Sequence, residues 1–224
     1  KWRVILKKST LLRQFALFLA ILLSGGWLLF PRLPLLAALV LIYLMFTGRR
    51  LSIDKRLGPL LLLLAVIFVV SLLRDAGAGI VALAIRFANF FGGVLLLDLY
   101  LRSGAESFRR DLFVITRLFA WQTVFTVCLA AVAPSLFLPL DVSGVTYQTF
   151  LLVANYHTVY EDAGGLIRPD GFFYEPGVLQ LYLNLFLYLS LYVYRSTFQA
   201  LLALVAVLAT QSTSGMVIAF LLCG

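Results

Sequence analysis

Charge is scarce in this 224-residue chain. Asp, Glu, Lys and Arg make up 12% of it, against about 25% in a soluble globular domain. That scarcity excludes an ordinary water-soluble fold. Histidine occurs once, as His157, and cysteine twice, as Cys128 and Cys223. So few ligands give no His/Cys cluster with metal spacing, and no Asp-x-Asp pair occurs, so no metal site is predicted. Both cysteines lie in apolar segments, which implies two small buried hydrophobes and no disulfide framework. A Walker loop and a Ser–His–Asp set are also missing. Strand-like alternation is absent too, so helices rather than a β-barrel are predicted to satisfy the backbone.

Apolar residues fill the space that charge leaves. They form 62% of the chain, and the mean hydropathy is +1.02. Runs such as Leu60 to Val70 have no water-soluble use in such number. The chain therefore reads as all-α, a polytopic membrane helical bundle. The spacing predicts eight helices, over 11–30, 34–48, 57–73, 79–101, 112–133, 175–194, 198–210 and 214–224. Residues 198–224 are taken as two helices separated at Thr210–Gly215, with one broken helix as the alternative. The first apolar stretch lacks a small-residue cleavage site, so it is not read as a signal peptide. Starting at Lys1 without Met and stopping inside an apolar run, the chain is expected to be part of a longer protein.

The net charge of +8 is assigned to the positive-inside rule rather than to nucleic acid. With the N-terminus in the cytoplasm, thirteen Lys and Arg fall on inner segments, among them Arg13, Arg49, Arg50, Arg102, Arg109, Arg110 and Arg195. Three fall outside: Arg32, Arg74 and Arg168. Three regions follow. Residues 1–132 hold helices one to five, 133–173 form an extracytoplasmic loop, and 174–224 hold helices six to eight. The loop is longer than an ordinary connection, and such loops are usually functional or disordered. Its stretch from Tyr147 to Tyr160 is predicted to lie along the membrane interface, with aromatics at headgroup depth.

Several polar residues stand out in or beside the apolar segments. Arg86 lies six residues into the fourth helix, about 9 Å deep, with Asn89 and Gly93 on the same face. That stripe should face protein or a water-filled cavity. Arg86 then either bonds a neighbouring helix carbonyl or presents a cation to an anionic group. Arg117 can snorkel to the inner face, and Asp98 reads as interfacial. His157 reads as ordinary loop surface.

The densest signal is Arg168-Pro169-Asp170-Gly171-Phe172-Phe173-Tyr174-Glu175-Pro176, at the mouth of the sixth helix. Arg168 is always charged and offers a planar fork to phosphate oxygens. Gly171 permits a tight turn or close approach of a ligand. Pro176 fits a first helical turn. Glu175 is either the cap of that helix or a polar group that orients Arg168 or an acceptor hydroxyl. Tyr174 is grouped with Gly171 as a binding residue.

This segment, running into Gly177-Val178-Leu179-Gln180-Leu181-Tyr182-Leu183, is similar to the Arg-x-x-Gly-x-x-x-Glu-Pro pattern of the O-antigen polymerase and ligase family of bacterial inner membranes. Leu208-Ala209-Thr210-Gln211-Ser212-Thr213-Ser214-Gly215 resembles that family's Thr-x-Ser-Arg-Gly-like step, with Thr213 where many members carry Arg. The resemblance covers the first half of a member. It implies a membrane glycosyltransferase (GT-C-like) fold in the inner membrane, with the loop in the periplasm. The implied activity is metal-independent polymerisation of polyprenyl-diphosphate-linked oligosaccharide repeat units into O-antigen or exopolysaccharide, without a cofactor. For that chemistry Arg168 and Glu175 are expected to be catalytic, and Arg86, Asn89, Gly171, Tyr174 and Ser212 to bind substrate. The general base is expected outside this chain. The lipid bilayer, chain-length regulators and other polysaccharide-assembly proteins are the expected partners. Transfer to a lipid core (a ligase), a flippase of the same glycans and a non-catalytic scaffold are the competing expectations.

Overall fold

The computed structural model describes residues 2–26, 31–48, 53–74, 80–142, 144–159, 166–173 and 176–224. Among them the fold is mostly helical, with eight α-helices: α1 (Trp2–Gly25), α2 (Arg32–Phe46), α3 (Gly58–Arg74), α4 (Ile80–Ser103), α5 (Ala105–Val132), α6 (Pro176–Tyr188), α7 (Thr197–Ala209) and α8 (Thr213–Cys223). Each predicted helix has its counterpart. The two-helix reading of 198–224 holds, because Thr210–Ser212 separates α7 from α8. The described residues also form four strands: β1 (Leu138–Val142), β2 (Val145–Phe150), β3 (Ala154–Val159) and β4 (Leu166–Pro169). They form one antiparallel sheet in the order β1-β2-β3-β4. This corrects the all-α expectation. Residues 145–150 and 154–159 are rich in Val, Thr, Tyr and Phe, which suit a pleated, half-buried surface. Within the stretch expected along the interface, 147–150 and 154–159 are therefore strand.

Among the described residues three helical segments are long and apolar enough to cross a membrane: Lys55–Arg74, Ala105–Val132 and Pro176–Val193. The first has almost no buried surface. Leu62, Leu63, Val66, Val69, Val70 and Leu73 all project outward. An apolar helix left so bare is suited to lipid rather than water.

The chain divides into two compact units. The first holds residues 1–26 and 30–112. Here α1, α2 and α4 pack together around Leu22, Leu39, Tyr43 and Leu95. A Cβ on Gly92 would strike the Leu23 and Leu39 side chains, so Gly92 lets α4 approach its neighbours. Gly93, the predicted member of a polar stripe, has open space instead. It lines an apolar recess of about 390 Å³ with Tyr100, Gly104 and Phe108. Gly104 has φ +88, and its N–H bonds the Tyr100 carbonyl at 2.9 Å. That left-handed residue ends α4 and allows the corner into α5.

Two buried carboxylates lock this unit. Asp98 accepts from the Tyr43 hydroxyl at 2.6 Å, the Asp54 N–H at 2.6 Å and Arg102 Nε at 2.7 Å. Asp111 accepts from Arg13 Nε, from Gln14 Nε2 at 3.2 Å and from the Tyr100 hydroxyl at 3.1 Å. Asp98 is thus fully buried within the protein. Its cost of burial is offset by three donors.

The second unit holds residues 27–29 and 113–224. Phe113 meets Phe186 at 5.3 Å between ring centroids, and Phe119 meets Tyr182 at 5.8 Å. These contacts set α6 antiparallel to α5. Tyr182 is six residues inside α6, so α5 continues about 10 Å beyond the start of α6. The sheet fills the space beside that extension, where Phe137, Ala154 and Tyr156 cluster with Ala130. Past Tyr188 the helix widens into a π turn over Leu189–Val193, and Arg195 at φ +50 ends the element. Cys128 and Cys223 are both exposed, not buried as expected. Each is small and apolar enough to sit on a lipid-compatible surface.

Candidate functional site

The candidate site is built where β3 and β4 meet the turn that follows. In the β3–β4 register His157 stands opposite Arg168, and Tyr156 opposite Pro169. Directly opposed residues share a face, and the residue two further on is the diagonal neighbour on that face. Asp170 is that neighbour. Its N–H continues the ladder by bonding the Asn155 carbonyl at 2.9 Å. Arg168, His157 and Asp170 are therefore brought to one side of the sheet by register alone.

Asp170 has no exposed surface. His157 Nδ1 lies 3.0 Å from Oδ1 and 2.9 Å from Oδ2 of its carboxylate. Burial pushes the Asp170 carboxyl up to about 6, while the His157 hydrogen bond and the charges of His157 and Arg168 pull it down. The imidazole is half-buried, with the Tyr147 ring edge-on at 6.1 Å.

The turn after β4 is tied down from several sides. Phe173 N–H bonds the Asp170 carbonyl at 3.1 Å. Gly171 has φ +63, a conformation that costs an L-residue about 1–2 kcal/mol. A Cβ there would lie 3.1 Å from Gln122 Oε1 and 3.4 Å from Leu179. The Asn155 amide donates to the Gly171 carbonyl at 2.7 Å, and the Gln122 amide donates to the Val153 carbonyl. Phe173 is fully buried and stacks on Tyr182 at 5.6 Å. Gly171 thus serves the turn and its packing, which is one of the two uses its sequence position suggested.

Arg168 is half-buried on β4. Its Nε donates to the Thr210 carbonyl at 3.3 Å, at the C-cap of α7. A cation is favoured there by the helix dipole. The Gln211 amide donates to the Ile167 carbonyl at 3.4 Å, so two bonds dock the α7–α8 corner on β4. Ser212 is the N-cap residue of α8, with its hydroxyl 3.4 Å from that of Ser214. On the inner side of that corner Gln180 donates to the Ser214 hydroxyl at 2.9 Å. Its carboxamide lies over Gly215, where no Cβ would fit.

The predicted site residues are therefore only partly gathered. Arg168, Gly171 and Ser212 lie around the β4 turn and the α7–α8 corner. Asn89 is on α4 in the first unit, with a buried Oδ1 that no donor among the described residues reaches. The side chain of Arg86, and Tyr174 and Glu175 altogether, lie outside the described residues. Sequence reasoning missed His157 and Asp170 as a pair. They are thirteen residues apart, and only the hairpin register joins them. Among the described residues no three His, Cys, Asp or Glu side chains converge. The chain matches no family model, and neither curated proteins nor solved structures give a significant match.

Proposed function

We propose that the chain is a polytopic inner-membrane glycosyltransferase that uses a polyprenyl-diphosphate-linked oligosaccharide as donor, in the manner of an O-antigen or exopolysaccharide polymerase. The observation that carries this reading is Arg168. Its Nε is spent on the end of α7, and its outer nitrogens find no hydrogen-bond partner among the described residues. A half-buried guanidinium held by one edge keeps its fork for an anion.

The lengths of the helices agree with a lipid-borne anion. On the K/R distribution, α7 starts at the inner face beside Arg195. Thirteen residues rise about 20 Å, against a hydrocarbon core of about 30 Å. Thr210 and the guanidinium on it then sit about 10 Å below the outer boundary. Irregular backbone at such depth is tolerated only where it is buried in protein or lines a wet cavity. A diphosphate on a polyprenyl tail approaches at that level from the outer leaflet. As the glycosidic bond breaks, the leaving diphosphate gains negative charge, and a fixed cation in low-dielectric surroundings stabilises it.

The test is Arg168→Ala and Arg168→Lys in cells that depend on the protein for polymer. Arg168→Ala should cut chain extension by about 10²-fold or more while the protein still inserts. Arg168→Lys should stay well below the parent, because a point charge lacks the fork. Normal polymer from Arg168→Ala refutes the reading, and full activity of Arg168→Lys favours the scaffold instead. The Thr210–Ser212 break between α7 and α8 favours one other reading, a flippase. In that case glycan crosses the membrane without growing in length.

A further inference from the structure

We propose that His157 accepts the proton of the attacking acceptor hydroxyl, with Asp170 as the residue that positions its ring. This rests on the glycosyl-transfer reading above, and it supplies from within the chain the base that the sequence was expected to lack.

The orientation follows from hydrogen-bond chemistry. An ionised carboxylate only accepts. With both Asp170 oxygens within 3.0 Å of Nδ1, the ring must donate from Nδ1. The neutral imidazole then carries its proton there and leaves a basic lone pair on Nε2, for which no described residue supplies a hydrogen-bond donor. The Asp170 oxygens have no surface from which water could compete.

Register supplies the second element. His157 and Arg168 are direct cross-strand partners, so base and guanidinium open on the same side of the sheet. A hydroxyl bonded to Nε2 therefore meets a donor whose diphosphate lies on Arg168. The groups that face the ring are Tyr147 from β2 and Arg168 and Asp170 from β4.

The anchoring of the pair is the third. Asp170 is fixed through its own N–H and carbonyl, and the next residue through Asn155. A histidine that only covers the surface needs no buried carboxylate behind it, and burying that carboxylate is costly.

The step balances. The acceptor oxygen forms a bond to the anomeric carbon. The bond from that carbon to the diphosphate oxygen breaks, and its electron pair leaves with the lipid diphosphate beside Arg168. The hydroxyl proton passes to Nε2, and the imidazolium is held by Asp170 until it releases the proton to water.

Two measurements on the whole chain in lipid nanodiscs test this. The chain has a single histidine, so histidine-selective ¹⁵N labelling, with a purification tag free of histidine, yields one imidazole. At pH 8 the proton should reside on Nδ1, and it should move to Nε2 in Asp170→Asn. A proton on Nε2 in the unaltered chain overturns the proposal whatever the protein does. The second measurement is transfer from lipid-linked oligosaccharide extracted from the parent cells, with binding of undecaprenyl diphosphate followed in parallel. His157→Asn keeps a donor at the Nδ position for Asp170 but has no Nε2. It should lower kcat about 100-fold, flatten the pH profile and leave undecaprenyl diphosphate affinity unchanged, whereas Arg168→Ala should lose that affinity. Undiminished transfer by His157→Asn overturns the base assignment alone. No transfer and no diphosphate binding by the unaltered chain overturns the assignment together with the reading beneath it.

Discussion

Replacing Asp170 by Asn should change how stability depends on pH, in a direction fixed by burial. The native carboxyl holds its proton up to about pH 6, against an ordinary value of 3.8. The native state therefore binds this proton more tightly than the unfolded chain does. That contribution is fully present below about pH 4 and is lost as pH rises through 6. A shift of about two units corresponds to about 3 kcal/mol. Asp170→Asn has no proton to lose, so relative to the parent it should gain about 3 kcal/mol between pH 4 and 7. A fixed offset between the two chains is also expected, because the amide faces His157 without a charge. The offset does not alter the slope. Thermal unfolding of both chains in one detergent at pH 4, 5, 6 and 7 gives the difference curve directly. At about 2–4 °C per kcal/mol for a chain of this size, the relative change is about 6–12 °C. Repeating the pair with His157→Asn in both chains removes the imidazole. The slope should then steepen, because His157 is what pulls the carboxyl back toward its ordinary value. A difference curve flat to within about 1 kcal/mol in both backgrounds refutes the assignment of Asp170 as a buried acid.

Two further outcomes test the turns around the site. Gly171→Ala should lower stability by about 1–2 kcal/mol from the left-handed backbone alone, and more if Gln122 must move; an unchanged unfolding midpoint would show that the turn relaxes. Leu151 and Leu152 occupy the β2–β3 turn at φ +51 and +61, where Asn and Gly are favoured. The double change Leu151→Asn, Leu152→Gly should therefore raise the midpoint in detergent, and a fall would mean that lipid-like contacts of the two exposed leucines outweigh the strain.

How much of this was legible in the sequence follows from the range of each interaction. The helices were, because an apolar run declares itself within its own length and Gly104 or Thr210–Ser212 marks where it stops. The sheet was not. Its strands are four to six residues long, too short for alternation to emerge from a chain this apolar. Their pairing joins residues that no local window contains. The sequence singled out Arg168 and Gly171 because each carries its chemistry alone. It passed over His157 because a histidine's role is set by what faces Nδ1, and here that is a residue reached only through the hairpin. The burial of Asp98 was hidden for the same reason. Its donors come from Tyr43 and Asp54, about one helix and one loop away.

The buried carboxylates also show why function is assigned to one place and structure to the others. Asp98 and Asp111 each sit against an arginine and a tyrosine. Arginine and tyrosine keep their protons throughout the physiological range, so those clusters are fixed locks between helices. They hold elements together and have no proton to exchange. Asp170 has the same complete burial but faces an imidazole, the side chain whose ordinary pKa lies nearest neutrality. A lock needs no such partner, and an arginine in place of His157 would satisfy the carboxylate better. Choosing histidine there sacrifices a permanent charge pair for a nitrogen that can take up a proton and give it back. In the proposed transfer that exchange is the step made on the face of the sheet that also carries Arg168.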